Sequence, residues 1–168
     1  NISKIAGDKM DRISARLICI VCVSVAVLWA GVASGTELYI PEIKAATGQS
    51  INIPVMIDQI DNLAGVKMVI KYNAEILTFK KAAKTTHTSS LMHIVNNKKP
   101  GLLIIVMAGA KGIKGKDFPL LSLEFDIKKG LKSNHTSKID ITEVQLMSDQ
   151  LKDIKCSIKI NPLIVLPR

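Results

Sequence analysis

Aromatic side chains are scarce in this sequence: one Trp, two Tyr and three Phe in 168 residues. Trp29 lies in an apolar segment near the start. Such scarcity argues against a platform for stacking bases or sugars, which needs several exposed rings, and it makes the core aliphatic. Arginine is nearly absent after residue 35. There Arg168 stands with eighteen lysines against twelve acidic residues, a charge of about +7 within the chain total of +9. Scattered lysines read as solvated strand faces and guarded sheet edges. Nucleic-acid recognition would show arginine clusters interleaved with rings, so nucleic acid is not an expected partner. Cysteine is scarce too. Cys19 and Cys22 form a C-x-x-C inside an apolar run, where the spacing has no redox or zinc meaning. Cys156 stands alone in the remainder and can form no disulfide within it. It shares strand parity with Ile158 and Ile160, which predicts a buried packing role.

Catalytic constellations are missing as well. His87, His93 and His135 fall in separate segments without ligand spacing, and there is no G-x-S-x-G, no phosphate loop opening a helix and no calcium loop. Neither catalytic nor metal-ligating residues are expected, and no cofactor is implied. The run Gly109-Ala-Lys-Gly-Ile-Lys-Gly115 lies between two strand patterns and reads as a mobile turn. Asp58 and Asp61 flank a loop at a strand end. They read as loop caps rather than paired carboxylates across a sugar cleft. Asn134-His-Thr136 is a glycosylation sequon by pattern alone.

What the sequence does contain begins with a leader. Arg12 and Arg16 precede an apolar stretch from Leu17 to Ala33, followed by Ser34-Gly35. That order matches a secretory signal peptide cleaved near Ala33–Gly35. The alternative is an uncleaved membrane anchor, although 17 residues fall just short of a spanning helix. Either way the domain is expected to be exported, secreted or held at the cell surface. Residues 1–9 precede Met10 and read as upstream translated sequence, 10–35 as the leader, and 36–168 as one domain.

From Glu37 onward the pattern has period two. Ile51, Ile53, Val55 and Ile57 alternate with Asn52, Pro54 and Met56, and Val66, Met68, Ile70 and Tyr72 with Gly65, Lys67, Val69 and Lys71. Leu102–Met107 is continuously apolar and reads as a strand buried on both faces. Leu121–Ile127, Ile139–Val144 and Ile154–Ile160 alternate again. Turn signals separate them at Thr47-Gly48, Asp61-Asn62, Asn96–Gly101, Gly109–Gly115, Gly130–Asn134 and Ser148-Asp149. Only Thr85–Leu91 could hold a helical turn. Such a series of short strands predicts an all-β sandwich or barrel. Matched parity predicts a shared core of Ile53, Val55, Met68, Ile70, Leu123 and Phe125.

Five pieces, in order, carry a resemblance to a known family. Gly48-Gln-Ser-Ile-Asn-Ile-Pro-Val-Met-Ile is similar to the second strand of a cohesin. Asn62-Leu-Ala-Gly and the strand Val66–Lys71 follow, then Tyr72-Asn-Ala-Glu-Ile-Leu-Thr-Phe79, with Asn73-Ala74 where the family has Asp-Pro. Ile104-Ile-Val-Met-Ala108 resembles the family's central strand, Phe118–Lys128 its long later strand, and Ile139–Ile160 its final pair. The resemblance spans about residues 37–166. It implies a nine-stranded jelly-roll β-sandwich related to carbohydrate-binding modules. It also implies a non-catalytic role: binding a dockerin-containing protein and so helping to assemble polysaccharide-degrading complexes. Calcium is then expected on the dockerin partner, not on this chain. The implied partner-binding residues are Gly65, Lys67, Val69 and Lys71 on one sheet face. Gly109, Ala110 and Gly112 join them from the loop after the central strand, with Leu151 and Asp153 from a late loop. At Gly65 and Lys67 the family shows an Asn and an Asp. An acidic contact has therefore become basic, and partner specificity does not carry over. The alternatives are a carbohydrate-binding module, weakened by the scarcity of rings, and a structural cell-surface or adhesin domain. The membrane enters only through an uncleaved leader.

The leader reading predicts an exported protein that has lost its first residues near Gly35. Intact mass decides the matter, because retention of Leu17–Ala33 would show an anchor.

Overall fold

The computed structural model describes residues 35–131 and 135–166, and every regular element among them is a strand. Eleven segments occur in order. The first six are β1 (Thr36–Ile40), β2 (Ile43–Ala46), β3 (Ser50–Tyr72), β4 (Leu77–Lys84), β5 (Met92–Asn96) and β6 (Leu102–Ile127). The remainder are β7 (His135–Ser137), β8 (Ile139–Met147), β9 (Asp153–Ile154), β10 (Cys156–Ile160) and β11 (Leu163–Leu166). The leader and Asn134 lie outside the described residues.

Two segments far exceed an ordinary strand of about five to six residues: β3 has 23 residues and β6 has 26. They pair antiparallel from Ser50↔Asp126 to Lys71↔Leu102. The first half of β3 lies between β1 and the second half of β6, and its second half lies between β8 and the first half of β6. One layer therefore reads β10-β1-β3-β6-β4 and the other β9-β8-β3-β6-β5. Hydrogen bonding is continuous between them because the ribbon belongs to both.

The bend is written in the parity of β3. Ile51, Ile53, Val55 and Ile57 are buried in its first half, Val66, Met68 and Ile70 in its second. A regular strand would keep one parity. The switch is made by register shifts between Ile60 and Leu63 and between Leu63 and Gly65, with Asn62 at φ 69°. Such irregularities re-aim a strand. Both buried faces then meet. Ile53, Val55, Met68, Ile70, Leu123 and Phe125 are each at most 1% exposed and share one cluster, as their parity predicts. Phe125 sits edge-on to Tyr72 of the opposite layer at 5.0 Å and to Phe79 at 5.5 Å.

The ends of the domain run side by side. β1 pairs parallel with β10, and β2 with β11, in one constant register from Thr36↔Cys156 to Ala46↔Leu166. Pro41 and Pro162 interrupt both strands at nearly the same level, since proline donates no ladder hydrogen bond. Asn161 bridges the gap, its Nδ2 donating to the Ile40 carbonyl at 3.0 Å. Nine strands result when β1 and β2 count as one, β10 and β11 as one, the halves of β3 and β6 separately, and short β7 and β9 are set aside. The domain is an all-β jelly-roll sandwich.

Several local expectations are corrected. Asp61-Asn62 and 109–115 are not turns, because β3 and β6 continue through them. Leu102–Met107 is not buried on both faces, since Val106 is 40% exposed. Of the Cys156, Ile158, Ile160 stripe, Ile158 is exposed and the other two only half-buried, because among the described residues β10 is an edge strand with β1 as its one ladder partner. Residues 85–91 form turns rather than a helix, fixed by Thr88, which is fully buried and donates from Oγ1 to the Leu120 carbonyl at 3.0 Å. Asp58 and Asp61 do not flank a loop, since both lie within β3; Asp58 Oδ1 accepts the Glu37 amide of β1 at 2.7 Å.

Ile70→Ala is expected to cost about 2–5 kcal/mol by emptying core volume. Ile94→Ala, at an exposed position, should stay within about 0.5 kcal/mol. Denaturant unfolding of both variants checks this, and equal losses would contradict the layer assignment. On the outside of the other layer, Ser50 Oγ donates to Asp126 and the Lys80 ammonium lies 3.3 Å away. The hydroxyl first, then the lysine, hold the Asp126 carboxyl below its ordinary value. A depressed carboxyl stabilises the fold above its unfolded pKa and loses that effect as pH falls through the folded one. Asp126→Asn should therefore narrow the stability gap between pH 7 and acid in a melting series. An unchanged gap would show that the contact contributes nothing.

Candidate partner-binding face

With Val66, Met68 and Ile70 turned inward, strand alternation turns Gly65, Lys67, Val69 and Lys71 outward. The inward Leu103, Ile105 and Met107 likewise leave Leu102, Ile104, Val106 and Ala108 on the outer surface of β6. Met92 and Ile94 of β5 are 73% and 67% exposed. On the same strand, His93 faces the other layer, its Nε2 lying 3.2 Å from the Ala82 carbonyl.

Strand register arranges these residues in cross-strand rows. One row runs Asp153, Met147, Gly65, Ala108, Met92; the next Gln145, Lys67, Val106, Ile94; the third Glu143, Val69, Ile104, Asn96. A fourth holds Asp140, Lys71 and Leu102. The face is thus zoned from edge to edge. Carboxylates lie on β8 and β9, ammonium groups on β3, and aliphatic side chains on β6 and β5. From β8 to β5 it spans three strand spacings, roughly 14 Å, wide enough for one helix of about 10–12 Å diameter.

Most of the sequence-predicted residues gather here, but Gly109 shares the inward parity of Met107, and a Cβ on it would meet the buried Leu91. Gly65, Lys67, Val69 and Lys71 stand on β3. Gly109, Ala110 and Gly112 follow Ala108 within β6 at the Gly65 end of the face. Asp153 pairs with Met147, itself the partner of Gly65, and Leu151 sits in the turn between β8 and β9. Gln145 Nε2 donates to Asp153 at 3.2 Å. The glycines are not a mobile turn. A Cβ at Gly109 would lie 2.6 Å from Leu91 Cδ2, and one at Gly112 would lie 1.7 Å from Asn62 Oδ1. Close packing requires them. Met92, Ile94, Ile104 and Val106 were missed. The short alternation Met92, Ile94, Asn96 between Ser-Ser and Asn-Asn-Lys-Lys-Pro was the available signal for β5.

Leu151, Met92, Ile94 and Val106 are four of the six exposed large hydrophobic residues among those described. Met92, Ile94 and Val106 form one exposed apolar patch on β5 and β6, and Leu151 stands apart from it in the turn between β8 and β9. Beside the face, between β8 and β10, lies an open hollow of about 440 Å³ lined by Lys67, Thr142, Glu143, Val144, Gln145 and Ile158. Cys156 lies on β10 beyond this face, and burial pushes its thiol pKa up, which disfavours the reactive thiolate. Among the described residues no group of three His, Cys, Asp or Glu could hold a metal ion.

A family model described as the cohesin domain matches residues 36–164. Among solved structures, a type I cohesin–dockerin complex from Clostridium thermocellum is similar with a TM-score of 0.71 at 15% identity, covering 80% of this chain and 95% of that one. A non-cellulosomal cohesin from the hyperthermophilic archaeon Archaeoglobus fulgidus gives 0.70 at 14% identity, covering 79% and 92%. The cohesin CaCohA2 of Clostridium acetobutylicum gives 0.65 at 21% identity, covering 79% and 91%. No curated protein matches the chain. At such identities the structural likeness speaks for the fold, and the match over 36–164 speaks for the family. Together they place this two-layered sandwich: the chain belongs to the cohesin domain family.

Proposed function

We propose that this chain is an exported, non-catalytic module that binds a dockerin-containing protein through the outer face of β8, β3, β6 and β5. In doing so it helps assemble extracellular or cell-surface complexes that degrade polysaccharides. The observation that carries this reading is the exposed stripe Met92, Ile94 and Val106 lying beside Lys67 and Lys71 on one flat surface. An amphipathic helix laid across the rows would bury its apolar side on β6 and β5 and set acidic residues against β3. The aliphatic stripe would supply the desolvated centre, and the lysines encounter rate and selectivity. Family membership and the dockerin-bound relative from Clostridium thermocellum support the choice of partner. Calcium belongs in this account to the dockerin loops.

The test is calorimetric titration with a dockerin-bearing secreted protein of the same organism, with and without calcium. Val106→Asp and Val69→Asp are each expected to weaken binding by about 2 kcal/mol or more. Lys67→Asp should change partner choice and the salt dependence of association while the fold persists. Unchanged affinity in all three variants would mean that the face lies elsewhere. Polysaccharide binding that survives Val106→Asp would favour the carbohydrate-binding alternative.

A further inference from the structure

Three segments distant in sequence meet at the Gly65 end of the face. Asn62 stands where β3 breaks register, at φ 69°, and its Nδ2 donates to Asp149 Oδ1 at 2.7 Å. The other oxygen, Asp149 Oδ2, accepts the Gly112 amide at 3.5 Å, a longer and weaker contact. Gly112 also makes room for the asparagine, since a Cβ there would lie 1.7 Å from Asn62 Oδ1 and 2.7 Å from its Cγ. One carboxylate thus ties the turn between β8 and β9 to both strands of the central ribbon.

That turn carries Leu151, which is 80% exposed and has a φ of 58°. Inside the turn, the Leu151 amide donates to the Ser148 carbonyl at 3.0 Å, and the Lys152 amide to Ser148 Oγ at 3.2 Å. L side chains other than Asn and Asp are disfavoured in the left-handed region, where glycine is the default. Folding alone gives no reason for a large aliphatic residue at this position, for it lies mostly in solvent. A local constraint of this kind points to use at a surface.

We propose that Asn62 and Asp149, seated by Gly112, form a clasp that holds Leu151 in the conformation in which it meets the partner. They are positioning residues, and the apolar contact is made by Leu151 itself. This inference rests on the dockerin-binding reading of the face, whereas the clasp can be observed without any partner.

Amide hydrogen exchange on the full chain reads the clasp directly. In Asp149→Ala and Asn62→Ala, the Leu151 and Lys152 amides should exchange about tenfold faster while those of Ile70 and Phe125 keep their protection. Asp149→Asn, which retains one acceptor oxygen for Asn62 Nδ2, should restore most of the protection. Unchanged exchange at Leu151 and Lys152 in both alanine variants would overturn the clasp. The second arm is a double-mutant cycle with the dockerin module from the titration above. Asp149→Ala should weaken binding about tenfold in the unsubstituted chain and less than about twofold in a Leu151→Ala background. Losses that simply add would mean that Asp149 acts by touching the partner, which overturns its positioning role. If the unsubstituted chain binds no dockerin, the reading of the face fails, and the exchange arm still decides whether the clasp exists.

Discussion

The antiparallel pairing of β3 with β6 is the constraint from which the remaining architecture follows. Because its register runs from Ser50↔Asp126 to Lys71↔Leu102, neither strand can be displaced without moving both layers. β1 and β10 attach to one end of this ribbon and β8 and β9 to the other, while β4 and β5 flank the two halves of β6. The bend near Asn62 decides which side of each half is apolar inward. Had β3 kept one parity, Lys67 and Lys71 would point into the core and Met68 and Ile70 into water. Burying two lysines without partners is far costlier than the irregularity that prevents it.

The same bend builds the candidate face. It turns the second half of β3 so that Gly65, Lys67, Val69 and Lys71 stand in rows with the aliphatic outer surface of β6 and β5. The edges of the two layers differ in kind. β4 carries Lys80, Lys81 and Lys84, charges that discourage edge pairing. β5 carries no charge and leaves Met92 and Ile94 largely in solvent. That sheet face keeps such side chains exposed while thirty hydrophobic residues among those described are buried, an arrangement that the proposed partner contact would explain.

Much of this was legible in the sequence, for physical reasons that also explain the misses. Alternation at Ile51–Ile57 and Val66–Tyr72 placed the core correctly because one face is buried and one is solvated. At Leu102–Met107 both faces are aliphatic, so periodicity could not separate a strand buried on both faces from one whose outer face is partly exposed. The glycines at 109, 112 and 115 carry the composition of a turn, yet they serve close packing against neighbours that sequence spacing does not reveal. Asn62 resembles a turn residue because its local conformation is left-handed, although the ladder resumes at Leu63. Ser148-Asp149 read only as a turn signal, because the contacts of Asp149 to Asn62 and Gly112 lie 87 and 37 residues away in sequence. Pro41 and Pro162 were visible, but their common level appears only once the two ends of the domain lie side by side.

In the proposed reading one face, not merely the fold, binds the partner. Methyl-resolved NMR of the complex with a dockerin module tests it most directly, by cross-saturation from the partner. Binding through that face would saturate Met92, Ile94, Val106, Val69 and Leu151, and leave the exposed Leu166 of β11 unsaturated. Saturation confined to Leu166 of β11, or to the outer surface of β1 and β4, would contradict it.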